Sequence, residues 1–368
     1  MYIISLIDKA IAFEWISERL NKKQFALSFI LLNNSPSYLA EYLEANNVEC
    51  QEIEYKGKKS IPSALLKTIA ILRKSKPDIV HTHLVDADLI GLTAAWLCRV
   101  KKRIYTRHNS NFHKKYHKNA SKLEKLNNVL CTDVVAISKN VSDILIHEEN
   151  INPSKVKLVH HGFDLERFDK VALDDVDHLR YKYDIPKRCF VIGVVARYMH
   201  WKGIQHIIPA FKKYQQQNPD VFLVLANAGR GDYSQEIRSQ LDTLPEDTFV
   251  EIEFEHNLFA LYHLFDIFVH VPIDPQVEAF GQIYVEALAA GIPSIFTLSG
   301  VAREFIIHEQ NALVVDFENE DQIYNAMNRL YGAKQLMADL SIKGKKDVRA
   351  FFGLEKMISK LESIYCEE

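Results

Sequence analysis

Residues 189–203 read Cys189-Phe190-Val191-Ile192-Gly193-Val194-Val195-Ala196-Arg197-Tyr198-Met199-His200-Trp201-Lys202-Gly203, and this stretch decides the fold. Its first eight residues are nearly all apolar and rich in Val and Ile, the composition of a strand buried on both faces of a parallel sheet. The next seven carry two cations, end in glycine and lead into an amphipathic stretch from Ile204. Strand, loop and helix in that order form half of a βαβ unit. Arg197 and Lys202 then lie at a strand's carboxyl end, the ligand-binding edge of an open α/β sheet. There a guanidinium can fork onto phosphate oxygens and an ammonium can add a second point charge.

Working outward, strand-like runs recur at Val221–Ala226, Phe249–Phe254, Phe265–Val271, Ile292–Thr297 and Leu313–Val315. An earlier series occupies Tyr2–Ile7, Phe25–Leu32, Asp78–His83, Arg103–Arg107, Asp133–Ile137 and Lys155–His160. Amphipathic segments separate the runs in both series, so the fold class is α/β with two Rossmann-like, doubly wound parallel-sheet domains. The Asp-rich segment between Gly162 and Asp184 has little apolar periodicity and is the expected boundary. The expected division is residues 1–168, residues 169–350, and a terminal amphipathic helix at 351–368 that packs back on the first domain. Two such domains are expected to face each other across a cleft that takes the ligand.

Length and composition agree with this reading. A chain of 368 residues suits two domains, and 48% hydrophobic with 25% charged residues supplies sizeable cores and excludes disordered, collagenous and coiled-coil classes. The longest apolar runs fall well short of a membrane span, and no charged-then-apolar leader precedes a small-residue cleavage site, so a cytoplasmic protein is expected. Cys50, Cys98, Cys131, Cys189 and Cys366 are odd in number and scattered without a C-x-x-C pair. They encode neither a disulfide framework nor a zinc cluster. N-x-S strings at Asn33, Asn119 and Asn140 bear only on secreted proteins.

The net charge of −3 hides an asymmetry: through Phe168 there are 25 Lys+Arg against 18 Asp+Glu, and after it 20 against 30. Arg99, Lys101, Lys102, Arg103, Arg107, Lys114, Lys115, Lys118 and Lys122, with His108, His113 and His117, form a patch without an acidic residue. It reads either as a solvated face or as a surface for anionic lipid or a polyanionic substrate.

Missing motifs narrow the chemistry. Gly229-Arg230-Gly231 meets Ser234 where a third glycine would complete a dinucleotide fingerprint, and no P-loop, H-E-x-x-H or G-x-S-x-G occurs. Asp86-Ala87-Asp88 follows a strand and reads as a helix cap more readily than as a metal site. His81 and His83 alternate on a strand and share a face, but lack a third ligand at useful spacing, so packed or hydrogen-bonded rings are expected, with His83 near the cleft. Tyr262, Phe265 and Phe268 are spaced as core residues.

The second constellation is Val277-Glu278-Ala279-Phe280-Gly281-Gln282, followed by a helical stretch Ile283–Ala290 that stops at Gly291-Ile292-Pro293. Glu278 lies in the loop and Glu286 in the helix, and both can border one pocket. Gly281 allows close approach of a ligand to the backbone, and the free amides of the helix start suit diphosphate oxygens.

With these residues in view the sequence resembles the retaining glycosyltransferases of the GT-B fold, specifically family four (group 1), which use nucleotide diphosphate sugars. In the first domain the resemblance rests on Pro77-Asp78-Ile79-Val80-His81-Thr82-His83, Tyr105-Thr106-Arg107-His108, Ala136-Ile137-Ser138 and His161-Gly162-Phe163-Asp164. In the second it rests on Arg197-x4-Lys202, the E-x(7)-E pair, Glu286-Ala287-Leu288-Ala289-Ala290-Gly291-Ile292-Pro293 and Gly300-x3-Glu304. The resemblance implies that Arg197 and Lys202 hold the donor diphosphate, Glu286 the ribose hydroxyls, and Glu278 with the amides of Phe280 and Gly281 the donor sugar. It implies that His108 faces the reacting sugar. Glu278, His108, Arg197 and Lys202 are thus the candidate catalytic residues. Two departures stand out: the loop after the first strand, Asp8-Lys9-Ala10-Ile11-Ala12, lacks the usual glycine pair, and Asn311-Ala312-Leu313-Val314-Val315 lacks a usual glycine.

The function expected is transfer of a sugar from a nucleotide diphosphate donor to a hydroxyl acceptor with retention, in surface polysaccharide or glycolipid assembly. No cofactor and no metal are expected. The partners expected are the nucleotide sugar, a glycan or lipid-linked acceptor and, peripherally, the anionic inner face of a membrane, with no nucleic acid. The alternatives are a GT-B sugar-nucleotide epimerase or phosphorylase, and a non-catalytic sugar-nucleotide-binding subunit.

Overall fold

Residues 1–110, 120–229 and 231–367 are described in the computed structural model of the chain, residues 120–122 by their backbone alone. Lys114, Lys115, Lys118, His113, His117, Asn119 and Arg230 therefore lie outside the described residues, as does the side chain of Lys122. The described residues divide into two compact units, Met1–Asp164 with Phe352–Glu368, and Leu165–Phe351.

The first unit holds a seven-stranded sheet. Its strands are β1 (Tyr2–Ser5), β2 (Ser28–Asn33), β3 (Glu49–Glu54), β4 (Ile79–His83), β5 (Lys102–Arg107), β6 (Asp133–Ala136) and β7 (Val156–Leu158). The order is β3-β2-β1-β4-β5-β6-β7, with every pairing parallel. Strand β1 is buried along its whole length and β2 from Phe29 to Asn33, as their mostly apolar sequences permit. Edge strand β3, which sequence reading did not anticipate, reads Glu-Cys-Gln-Glu-Ile-Glu with Ile53 alone fully buried. Its register on β2 pairs Phe29 with Cys50 and Leu32 with Ile53, and its glutamates discourage pairing with another chain.

The helix Leu354–Cys366 belongs to this unit and buries Leu354, Met357, Ile358, Leu361, Ile364 and Tyr365, one face at helical spacing. It is tied to the sheet through Tyr365, whose hydroxyl meets those of Tyr2 and, at 2.7 Å, the ring of His81. A parallel bridge between Phe163 and Gly353 fixes its start.

The second unit holds β8 (Phe190–Val195), β9 (Val221–Ala226), β10 (Phe249–Ile252), β11 (Ile267–His270), β12 (Ser294–Phe296) and β13 (Leu313–Val314). All are parallel, in the order β10-β9-β8-β11-β12-β13. The helix Ile204–Gln215 lays Ile204, Ile207, Ile208, Phe211 and Tyr214 into the core beneath β8 and β9. The Asp-rich stretch read as a boundary contains the helix Leu173–Lys182, in which only Leu179 is buried. One anchoring residue is too few to leave a periodic signal. No described helix is long and apolar enough to cross a membrane.

Candidate active site

Each sheet reverses its strand order once, between β1 and β4 in the first unit and between β8 and β11 in the second. The crevice outside the carboxyl ends of the strands at such a reversal is where open α/β sheets take ligands. In the second unit the loops leaving β8 and β11 carry Arg197 and Lys202 on one side, and Glu278, Phe280 and Gly281 on the other.

These two loops are held together by backbone. Gly203 sits at φ +76° as the residue before the helix Ile204–Gln215, and a Cβ there would lie 1.8 Å from the Val271 carbonyl oxygen. Only glycine satisfies both the conformation and the approach. The Trp201 carbonyl accepts from the Ile273 amide at 3.2 Å, completing the seam.

The seam brings Lys202 onto Glu278. Its Nζ donates to Glu278 Oε1 at 2.6 Å and lies 4.4 Å from the Trp201 ring centroid. The side chains are 13% and 8% exposed, so both charges are largely out of water. Burial alone would raise the Glu278 carboxyl, but the Lys202 charge and the adjacent His270 bring it down to about 2. His270, the last residue of β11, has Nε2 3.3 Å from the same oxygen, and burial pushes its imidazole down to about 4. Its ring meets Tyr284 at 4.8 Å, and the Tyr284 hydroxyl donates to the Thr297 carbonyl.

The remaining predicted residues of this unit are distributed around that pair. Arg197 is exposed and makes no ion pair among the described residues. Glu286 lies in the helix Gln282–Ala289, where its Oε2 accepts from the Tyr262 hydroxyl at 2.8 Å. Burial pushes its carboxyl up to about 7. Gly281 opens that helix at φ +86°, and Phe280 is buried with its carbonyl accepting from the Val301 amide at 2.9 Å. Tyr262 is a core residue by position, yet its hydroxyl anchors Glu286. Neither it nor His270 stood out in the sequence, because a lone Tyr or His in an apolar run reads as packing.

In the first unit His108 follows β5 directly. Its Nε2 lies 3.0 Å from Nδ1 of His83, and its ring stacks on His161 at 5.6 Å with 15° between planes. Burial pushes His108 down to about 4 and His161 to about 3. His81 uses both nitrogens, Nδ1 with Tyr365 and Nε2 with Thr106 Oγ1 at 2.8 Å.

Two sequence readings need correction here. Asp86 and Asp88 do not cap a helix: Leu84, at φ +75°, is the residue before the helix Val85–Leu97, which puts both aspartates inside its first turn. Asp88 instead accepts from Thr82 Oγ1 at 2.7 Å, and burial raises its carboxyl to about 8. The basic patch is also smaller than its sequence. Arg107 is 3% exposed and paired at 3.0 Å with both Glu124 and Glu149, while Arg103 donates to the Leu130 and Val100 carbonyls at 2.7 Å. Arg99 and Lys101 remain exposed. Among the described residues no group of three or more His, Cys, Asp or Glu is arranged to hold a metal ion.

The sequence matches two family models, "Glycosyltransferase Family 4" over residues 16–167 and "Glycosyl transferases group 1" over residues 175–347. The chain belongs to the group 1, family four glycosyltransferases. His108 lies within the first match, and Arg197, Lys202, Glu278 and Glu286 lie within the second. This glycosyltransferase is 26% identical over 308 residues to the Staphylococcus aureus capsular polysaccharide biosynthesis glycosyltransferase CapM, covering 82% of this chain and 80% of that one. It is 23% identical over 361 residues to the Escherichia coli UDP-Gal:alpha-D-GlcNAc-diphosphoundecaprenol alpha-1,3-galactosyltransferase, covering 95% and 91%. Its fold, the two-sheet GT-B architecture, is that of Anabaena HepE in complex with UDP-glucose, with a TM-score of 0.83 over the whole of both chains at 19% identity.

Proposed function

We propose that this glycosyltransferase moves a sugar from a nucleotide diphosphate donor to a hydroxyl of a glycan or lipid-linked acceptor, with retention at the anomeric carbon, in the assembly of a surface polysaccharide or glycolipid. The observation that carries this reading is the buried Lys202–Glu278 pair at the strand reversal of the second sheet. A diphosphate brings about two negative charges, and a third develops as the sugar leaves. Lys202 and Arg197 answer them, and the amino end of the helix that opens at Gly281 adds about half a charge. When the diphosphate competes for Lys202, the Glu278 carboxylate is released toward the sugar, which it orients together with the amides of Phe280 and Gly281. Glu286 takes the ribose hydroxyls, and His108 of the first unit supplies its ring to the reacting sugar. The relatives support the substrate class: one acts in capsular polysaccharide biosynthesis, one on a diphosphoundecaprenol-linked sugar, and HepE binds UDP-glucose.

On this charge balance transfer needs no divalent metal. The test is transfer by the purified protein with UDP-, GDP- and ADP-sugars, with and without excess EDTA. Rates within about twofold in EDTA support the balance; loss that magnesium or manganese restores overturns it. Donor turnover without transfer, or donor binding without turnover, would favour the epimerase, phosphorylase or binding-subunit alternatives. The proposal includes work at the cytoplasmic face of an anionic membrane, approached by the patch from Arg99 to Lys122, of which Arg99 and Lys101 are exposed. Each cation near such a surface contributes about 1 kcal/mol, so sedimentation with anionic but not neutral vesicles, lost in salt, is the expected result.

A further inference from the structure

His83 is more deeply enclosed than any group assigned a role in the first unit. It is 5% exposed and boxed by Tyr2, stacked at 5.4 Å with 14° between planes, Phe13, edge-on at 4.8 Å, and His81 at 4.4 Å. Its Nδ1 meets His108 Nε2 at 3.0 Å, whereas its Nε2 is buried and has no hydrogen-bond partner among the described residues. Those two facts constrain one proton. A neutral imidazole carries a single N–H, and between two facing ring nitrogens one must donate and the other accept.

If His108 donated from Nε2, His83 would accept on Nδ1 and carry its own proton on Nε2, as a buried donor with nothing to receive it. Orphaned buried N–H groups are rarer than under-satisfied acceptors. The other arrangement leaves only a bare lone pair at His83 Nε2. We infer that His83 is a positioning residue for His108: it donates from Nδ1 to His108 Nε2, and so fixes both the ring orientation of His108 and its tautomer, with the proton on Nδ1. His108 then meets its ligand as a hydrogen-bond donor and not as a base. A partner that sets the wrong tautomer leaves geometry intact while removing function, which is why such a contact matters although it touches no substrate. Burial lowers both rings far enough that they stay neutral at physiological pH. This inference rests on the reading of His108 as the ring supplied to the reacting sugar.

The direct test is long-range ¹H–¹⁵N correlation spectroscopy of the histidine-labelled protein, with His108 and His83 resonances assigned through His108→Gln and His83→Asn. The expected result is His108 in the Nδ1–H form in the wild type and in His83→Asn, whose amide N–H takes the place of Nδ1–H. In His83→Phe the form that isolated imidazole favours, Nε2–H, should reappear. The activity counterpart is a kcat lowered roughly tenfold or more in His83→Phe with donor KM within about twofold, and recovery to within about threefold in His83→Asn. An Nε2–H wild-type His108, or a His83→Phe variant with unchanged kcat, would overturn the inference. Should His83→Phe fail to fold, the wild-type spectrum decides alone. Full activity in His108→Gln would instead remove the underlying role of His108, an outcome the spectrum does not depend on.

Discussion

The two sheets reverse strand order at equivalent places and present opposite chemistry there. Beside β4 in the first unit stand His83, His108 and His161, with His108 tilted against His83 and stacked on His161, rings that burial keeps uncharged. Beside β8 and β11 in the second stand Lys202 and Glu278, largely withdrawn from water and joined as an ion pair, with the Glu278 carboxyl held down to about 2. An imidazole escapes the cost of burial by giving up its proton, whereas Lys202 and Glu278 escape it by pairing. The second solution is reversible by an anionic ligand that can take one member of the pair; the first gives directional donors and acceptors that do not compete for the same anion. Topology supplies the crevice in both, and the residue types at the strand ends decide what each can hold.

The largest effect that would sharpen this contrast is on stability and comes from Arg107. This cation of the first unit is enclosed between Glu124 and Glu149, one residue before His108. Arg107→Met leaves two buried carboxylates uncompensated and should cost about 3 to 5 kcal/mol, lowering Tm by roughly 10 °C. Adding Glu124→Gln and Glu149→Gln should recover most of it. Thermal melts of the single and triple variants check this, and a single variant as stable as wild type would place the charge in solvent.

Next is Lys202→Ala, expected to reduce the transfer rate about a hundredfold, the scale of removing one preorganised charge-stabilising group. The double variant Lys202→Met/Glu278→Gln should regain stability without regaining rate. Rates measured at saturating donor for both variants separate the two roles, and wild-type turnover in either would break the assignment of chemistry to this edge.

Much of this arrangement was legible because buried parallel strands announce themselves as short Val/Ile-rich runs, and because a glycine flanking a cation or a carboxylate marks a loop near a ligand. What escaped was set by three-dimensional context. β3 was missed because an edge strand needs only Ile53 in the core. Asp86 and Asp88 were misread because the helix boundary depends on the backbone conformation of Leu84, which no composition reveals. Arg107 was counted with the surface patch because sequence reports charge and not burial. His270 and Tyr262 look like ordinary core residues until the carboxylates beside them are seen.

A smaller effect concerns pH. Burial raises the Glu286 carboxyl to about 7, above its ordinary value, so folding takes up a proton there. Its contribution to stability is present below about pH 4.5 and fades as pH rises through 7. Ribose hydroxyls prefer the ionised form, so donor affinity should move the other way and strengthen about tenfold between pH 6 and 8. Glu286→Gln should remove the dependence and weaken binding by about 1.5 to 3 kcal/mol. A wild-type affinity flat over this range, measured by calorimetry, would take Glu286 out of the donor site.

The competition for Lys202 is tested most directly by titrating the nucleoside diphosphate itself, without sugar, into wild type, Lys202→Ala and Glu278→Gln, using whichever of UDP, GDP or ADP binds wild type. If the diphosphate must take Lys202 from Glu278, Lys202→Ala binds roughly tenfold or more weakly, while Glu278→Gln, in which the ammonium is no longer held by a carboxylate, binds at least as tightly as wild type. Equal dissociation constants for all three proteins, or a Glu278→Gln variant weakened as much as Lys202→Ala, would contradict the exchange of partners on which the account stands.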